Sequence, residues 1–358
     1  SYEEMIPEES RMITISHEGY IRRTSLSEYR SQSRGGVGSR GVAASKESDF
    51  TEHLFVASTH HHMLFFTEFG RVFWMKVYEI PEGGKTTKGR AIQNLINIEK
   101  EDKIRAVINV RDLKNQDFVL NHNLVFCTEK GTIKKTVLEA YSRPRTNGIN
   151  AITINEGDRL LDVQLTTGNS EIIIALGSGR AIRFNEHQVR PMGRNATGVR
   201  AVTLAGPDDK VVGMVCVENE STELLVVSEN GFGKRSLLEE YRITNRGGKG
   251  VKTLNVTDKT GKLVAIKGVV DTDDLMIINR SGITIRLRVA DIRVIGRATQ
   301  GVRLIKLTEG DQISSVAEVE MQNEEEVAEA LLEQSELKPE DSLQPDNQID
   351  PEVTEDEI

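Results

Sequence analysis

Basic side chains return at two fixed places along this chain, and the recurrence is the strongest chemical signal it carries. Three and four residues after one repeated glycine lie Arg22 and Arg23, Lys134 and Lys135, and Lys234 and Arg235, while Arg183 and Arg286 keep the later position alone. A second set stands four residues before another repeated glycine: Arg34, Lys85, Arg194, Arg246 and Arg297, with Arg143 and Arg145 flanking Pro144 where the base is missing. Cations in register suit a polyanion whose own charge is periodic. A row of lysine and arginine matched to duplex phosphates gains affinity by releasing condensed counterions, and it positions the duplex without reading its bases. If the repeats close into a ring, equivalent positions share one edge, and the row becomes a curved basic track that favours bent DNA.

Constellations for catalysis are absent or fail on inspection. Gly84-Lys85-Thr86 has Glu79 where a phosphate-binding loop needs its earlier glycine. Gly177-Ser178-Gly179 lacks the third glycine of a dinucleotide loop and belongs to a repeated hairpin. His60, His61 and His62 are consecutive, so a strand points them to alternate faces, and no spaced carboxylate or cysteine set accompanies them. Tyr29, Tyr141 and Tyr241 each follow the first glycine of a repeat by ten residues, with Leu26, Leu138 and Leu238 at the seventh. A tyrosine that recurs in register is a packing residue rather than a unique nucleophile. Cys127 and Cys216 sit in apolar strand-like runs and read as reduced core thiols. The expectation is therefore a binding domain with no catalytic residue, no metal and no cofactor of its own.

The elements that must position the bases follow from the glycines. A short apolar strand ends in a turn and glycine at Gly19, Gly70, Gly131, Gly179, Gly231 and Gly282, at intervals of 51, 61, 48, 52 and 51 residues. Each reads as a strand entering a tight hairpin, where glycine supplies positive φ. The second glycine follows 19 residues later at Gly38, Gly89, Gly198, Gly250 and Gly301, and 17 later at Gly148. A β-rich run comes next, then a polar turn and another strand. About four short strands in roughly 50 residues is the size of a propeller blade. The longest interval carries an extra polar loop near Asp112 to Asn123.

Charge is unevenly spread over the 358 residues. The chain carries a net −9, yet residues 321–358 hold 14 acidic residues against Lys338 alone, so residues 1–320 carry +4. A mildly basic body with an acidic tail fits an anionic partner better than the whole-chain figure does. The tail begins with a short amphipathic helix from Glu324 to Leu332 and continues into scattered prolines and acids, which read as disorder. Residues 1–10 read as a linker from an absent upstream domain. No apolar run approaches the length of a membrane span and no signal peptide is present, so a cytoplasmic location is expected.

One segment carries a family resemblance. Gln32-Ser33-Arg34-Gly35-Gly36-Val37-Gly38 resembles the box motif of the DNA gyrase A protein, which runs Gln, two bases, two glycines, a base and a closing glycine. Gln32, Arg34, Gly35, Gly36 and Gly38 match, whereas Ser33 and Val37 depart. The continuation Ser39-Arg40-Gly41 also reads as a box stretched by three residues, with Arg40-Gly41 in the closing place, and both registers stay open. Arg246-Gly247-Gly248-Lys249-Gly250 echoes the box in the fifth unit. The resemblance covers about residues 11 to 320. It implies an all-β fold, a six-bladed β-pinwheel with strands exchanged between neighbouring blades, followed by the disordered acidic tail. It further implies that the domain wraps double-stranded DNA with positive handedness, with little sequence preference. Its implied partners are the upstream cleavage domain and the gyrase B protein of a nucleoid-associated enzyme that uses ATP and magnesium elsewhere. Two alternatives stand beside it. The corresponding domain of topoisomerase IV generally has fewer blades and a degraded box. A protein-binding propeller is the other, although the chain lacks a repeated Trp-Asp mark and has one tryptophan, Trp74.

Overall fold

The repeated glycine organises every blade in the same way. In each unit its amide donates to the carbonyl three residues back, as Gly131 does to Thr128 at 3.1 Å, and its φ lies between 88° and 99° in all six. A three-residue connection closed by a left-handed residue is a common hairpin turn, and glycine enters it without a Cβ penalty. In this computed structural model the described residues are 2–26, 43–45, 49, 51–83, 87–219, 221–319 and 332.

Among the described residues, six antiparallel sheets of four strands arise. The third blade shows the plan. Its hairpin is Asn123–Thr128 with Thr132–Val137, and Leu160–Thr166 pairs with the first of these strands. Its fourth strand, Val199–Arg200, comes from the next unit and pairs with the second strand of the hairpin. The exchange repeats: Arg90–Ala91, Ile149–Asn150, Val251–Lys252 and Val302–Arg303 each complete the preceding blade. The sixth blade is completed by Ala43–Ser45 of the first unit, laid against Thr284 to Arg286. Each blade thus depends on its successor, and the last depends on the first.

The strands that follow each hairpin pack against their counterparts around the axis. They line a central cavity of about 570 Å³, reached by Ile108, Asp162, Met214, Ile266 and Ala317 among others. The two- and three-residue exchanged strands therefore form the outermost edge. Between the blades the cores are aliphatic and aromatic. Phe66, Phe126 and Tyr141 meet edge-on or tilted between the second and third units, and Ile172, Ile174, Phe184 and Met214 pack beneath Val125 and Ile133.

The second glycine explains how the exchanged strand gets so close. Gly89, Gly198, Gly250 and Gly301 all have positive φ, and a Cβ there would strike the carbonyl of the preceding hairpin at Ile21, Ile133, Ala181 and Gly233. At Gly148 it would lie 2.6 Å from the Phe73 ring. Glycine is required on both counts.

Two expectations are refined. The polar loop after Asp112 contains a short helix, Gln116–Asn121, whose Asn115 side chain caps the Phe118 amide at 3.1 Å and whose Val119 is buried. The segment read as a linker is docked on the second blade. Glu3 pairs with Lys76 at 3.0 Å, the His60 ring meets the Ile6 carbonyl at 2.9 Å, and Tyr2 packs edge-on against Tyr78. Of the three histidines, His60 helps to seat this segment, and burial with Lys76 nearby pulls His62 down to about 4.

Candidate nucleic-acid interface

The two sets of bases have different fates. Four of those after the first glycine point into the molecule. Lys134 is fully buried, and its ammonium donates to the carbonyls of Ala151 and Arg194, each at 2.6 Å, and to the Tyr141 hydroxyl at 3.2 Å, over the Phe126 ring. Lys234 repeats the arrangement two units on, donating to Gly296, Arg297 and Thr299 carbonyls. Burial pulls the two ammoniums down to about 7 and about 8 respectively.

Lys135 and Arg235 are also buried. Lys135 pairs with the buried Glu186 at 3.4 Å, and Arg235 holds the Ile292 carbonyl, Glu223 and Asp271. Arg183 joins Glu171 to the Leu238 and Tyr241 carbonyls. Arg23 holds the Ile80 carbonyl, Arg22 the Thr87 carbonyl, and Arg286 the Asp274 carboxylate. The expectation that Lys134, Lys135, Lys234 and Arg235 line an outer track is therefore corrected. Around these four the loop of the next unit folds over the strand and offers carbonyls or a carboxylate to the cation. A charge so enclosed is satisfied internally, because leaving it unpaired in a dry interior would cost several kcal/mol.

The second set stays at the edge. Arg194, Arg246 and Arg297 are half-buried, and each spans to the unit before it, donating to the carbonyl of Asn150, Arg200 and Lys252 respectively. These carbonyls belong to the exchanged strands, so the arginines stitch one rim to the next. Arg143 is exposed beside Glu139, and Arg145 and Lys249 are exposed. Gln32, Ser33, Arg34, Gly35, Gly36, Val37, Gly38 and Arg40 of the box, like Lys85, lie outside the described residues. The ends of the box segment are described: Leu26 is buried in the first unit, and Ala43–Ser45 completes the sixth blade. That strand pairs Ser45 with Thr284, where other blades place the first residue after the second glycine. Its register thus falls beyond both Gly38 and the stretched reading ending at Gly41.

The structure adds bases that the two-glycine pattern passed over. Arg190, Arg242 and Arg293, eleven residues after the first glycine, are exposed. So are Arg200, Lys252 and Arg303, the second residues of three exchanged strands. Together with Arg194, Arg246 and Arg297 they give units four to six three bases each at equivalent positions on the outer edge. The same periodicity was present in the sequence, but only the exchange shows that these positions are outermost.

Nothing among the described residues assembles a catalytic site. Tyr141 and Tyr241 are buried, with hydroxyls bonded to the Ala151 carbonyl and to Thr253, and burial pushes both phenols up. Cys127 and Cys216 are free thiols raised by burial. No group of three His, Cys, Asp or Glu side chains gathers as a metal set among the described residues. No described helix is long and apolar enough to cross a membrane.

Comparison with known proteins agrees with this geometry. The family model described as "DNA gyrase C-terminal domain, beta-propeller" matches residues 11–58, 61–111, 122–167, 177–218, 222–269 and 273–320, one stretch in each of the six units. The DNA gyrase A protein of Staphylococcus aureus (strain NCTC 8325 / PS 47) is 45% identical over 328 residues, which is 91% of this chain and 36% of that protein. The chain thus spans about a third of the length of the curated relatives it matches. A crystal structure of the C-terminal domain of DNA topoisomerase IV superposes with a TM-score of 0.79 at 25% identity, covering 92% of this chain and 99% of that one. A structure of the DNA gyrase A C-terminal domain superposes with a TM-score of 0.66 at 22% identity, covering 87% and 100%, a likeness of fold. Six matched blades and their exchanged strands place this chain in the DNA gyrase C-terminal domain family of β-propellers.

Proposed function

We propose that this chain is the DNA-wrapping part of a gyrase A protein, bending duplex DNA around its rim with positive handedness so that the complete ATP- and magnesium-dependent enzyme introduces negative supercoils. The observation that carries the reading is the threefold repeat of bases at the outer edge in units four to six, two exposed and one half-buried in each: Arg190, Arg194 and Arg200; Arg242, Arg246 and Lys252; Arg293, Arg297 and Arg303. Each set stands on the outer edge of one blade, so a duplex following the edge meets the same cations at each step. Contacts of this kind are with phosphate and tolerate sequence. Strand passage belongs to the cleavage domain and the gyrase B protein of the holoenzyme, and this domain supplies no catalytic group. The box segment, from Gln32 to Arg40, runs between the first blade and the strand that completes the sixth. It is therefore the segment across which a wrapped duplex would close its circuit.

The testing experiment is topological. Closed circular DNA is relaxed by a nicking-closing enzyme in the presence of the chain and then deproteinised. Retained positive writhe is the expected result, and fully relaxed circles despite saturating binding would defeat the wrapping claim. Alanine at Arg34, Gly35 and Gly36 together should abolish the writhe while binding to linear duplex survives through the other blades.

A further inference from the structure

The basic rim of units four to six is interrupted at one fixed place by an apolar side chain. Twelve residues after the first glycine stand Pro191, Ile243 and Val294, each immediately after an exposed arginine, Arg190, Arg242 or Arg293, and three residues before Arg194, Arg246 or Arg297. Ile243 is 49% exposed and Val294 is 42% exposed, and Pro191 is exposed too. The other large exposed apolar side chains among the described residues, such as Phe69 and Leu120, share no position with one another. The backbone beneath the three is pinned. Each forms a bridge to the hairpin of the preceding unit, at Lys135, Arg183 and Arg235. The Met192 and Thr244 amides donate to the Lys135 and Arg183 carbonyls at 2.7 and 2.8 Å, and the Ile295 amide to the Arg235 carbonyl at 2.9 Å.

A rigid apolar residue on the outermost edge of a sheet is ordinarily avoided, since it invites edge-to-edge association. Here it recurs in three successive blades and is bracketed by cations each time, so its partner must present anionic walls around a surface that accepts apolar contact. The minor groove of duplex DNA has that form: phosphates on both sides and a floor of sugar and base edges. We infer that Pro191, Ile243 and Val294 are bending wedges, which enter the minor groove where it faces the disc and open a base step while the flanking arginines hold the phosphates. This rests on the DNA-wrapping reading above and adds to it the residues that bend. Wedges of this kind unstack a step at a cost that the extra protein contact of the bent duplex offsets. They act most readily at pyrimidine–purine steps, which deform easily. Units two and three have Glu82 and Arg143 at the same place and lack the wedge.

The test separates bending from holding. The 358-residue chain carrying Ile243→Ser with Val294→Ser keeps every charge, and both sites are exposed, so fold by circular dichroism and the salt dependence of binding to linear duplex should be unchanged. Writhe retained per bound protein in the relaxation assay should fall by about two-fold or more. Leucine at both positions should restore it. Undiminished writhe in the serine pair overturns the wedge and leaves wrapping standing. Writhe lost together with a flatter salt slope also overturns it, because the side chains would then act by placing the arginines. If the unaltered chain retains no writhe, the wrapping reading falls first and the wedge with it.

Discussion

Two lysines of the hairpin strands and three bases of the exchanged strands are used in opposite ways. Lys134 and Lys234 are closed in by carbonyls of the following unit, whereas Arg200, Lys252 and Arg303 face outward from the edge. The difference teaches that a periodic base is not by itself a ligand contact. A repeat protein must hold each unit against the next, and one ammonium that gathers three carbonyls does so at a place where the exchanged backbone has no strand partner. The inner cations fix the loops, and the loops carry the outer ones: Lys134 grips the Arg194 carbonyl and Lys234 grips that of Arg297.

Reversing charge on the inside should have the largest effect. Lys134→Glu sets a carboxylate against the Ala151 and Arg194 carbonyls, and should cost about 3–5 kcal/mol of stability, the range for breaking a buried charge arrangement. Denaturant midpoints check this, and a loss under about 1 kcal/mol would dissolve the distinction between the two sets. On the rim, the triple substitution Arg200→Glu, Lys252→Glu, Arg303→Glu should leave stability nearly unchanged. It should instead weaken binding to every duplex sequence and flatten the salt slope by about one unit for each phosphate no longer held. A rim triple that melts the blades while Lys134→Glu only weakens binding would invert the comparison.

A third measurement sharpens the inner half. Lys134 has been pulled down from the ordinary lysine range near 10.4 to about 7. Between those values the unfolded chain holds a proton that the folded site has given up, so stability should rise with pH through that window. Below about pH 7 the penalty is fully present. Lys134→Met removes the group from both states, and its stability should show less of this rise when midpoints are compared at neutral and alkaline pH. Parallel curves for the two proteins would show that the ammonium is not strained by burial. The smallest effect belongs to an exposed pair: Arg143→Ala breaks its ion pair with Glu139 and should change stability by about 0.5 kcal/mol or less. A larger loss would mean that the third unit's rim leans on Arg143 structurally.

Much of the blade was legible because its turns are chemically constrained. Gly131 must take positive φ, and Gly198 must let a strand pass a carbonyl, so both positions admit little else and repeat visibly. Tyr141 and Leu138 recurred in register and proved to be core. Less was legible in the bases. Lys134 and Arg200 are both cations within strands, and no local feature separates them. The partner of Lys134 is a loop some 60 residues away.

The sequence by itself determined the unit, its hairpin, its two glycines and their sixfold recurrence, since these follow from backbone sterics within one stretch of chain. Only the tertiary structure decided which edge of each blade is outermost and which cations reach it. Exchange lays Val199–Arg200 on the third blade and Ala43–Ser45 on the sixth, and neither pairing is a property of the strand that makes it. A two-residue strand carries too little pattern to name its partner. Its place is fixed by the ring, in which every blade is completed by the next and the inner strands crowd the axis, so that the exchanged strand is left at the outer edge.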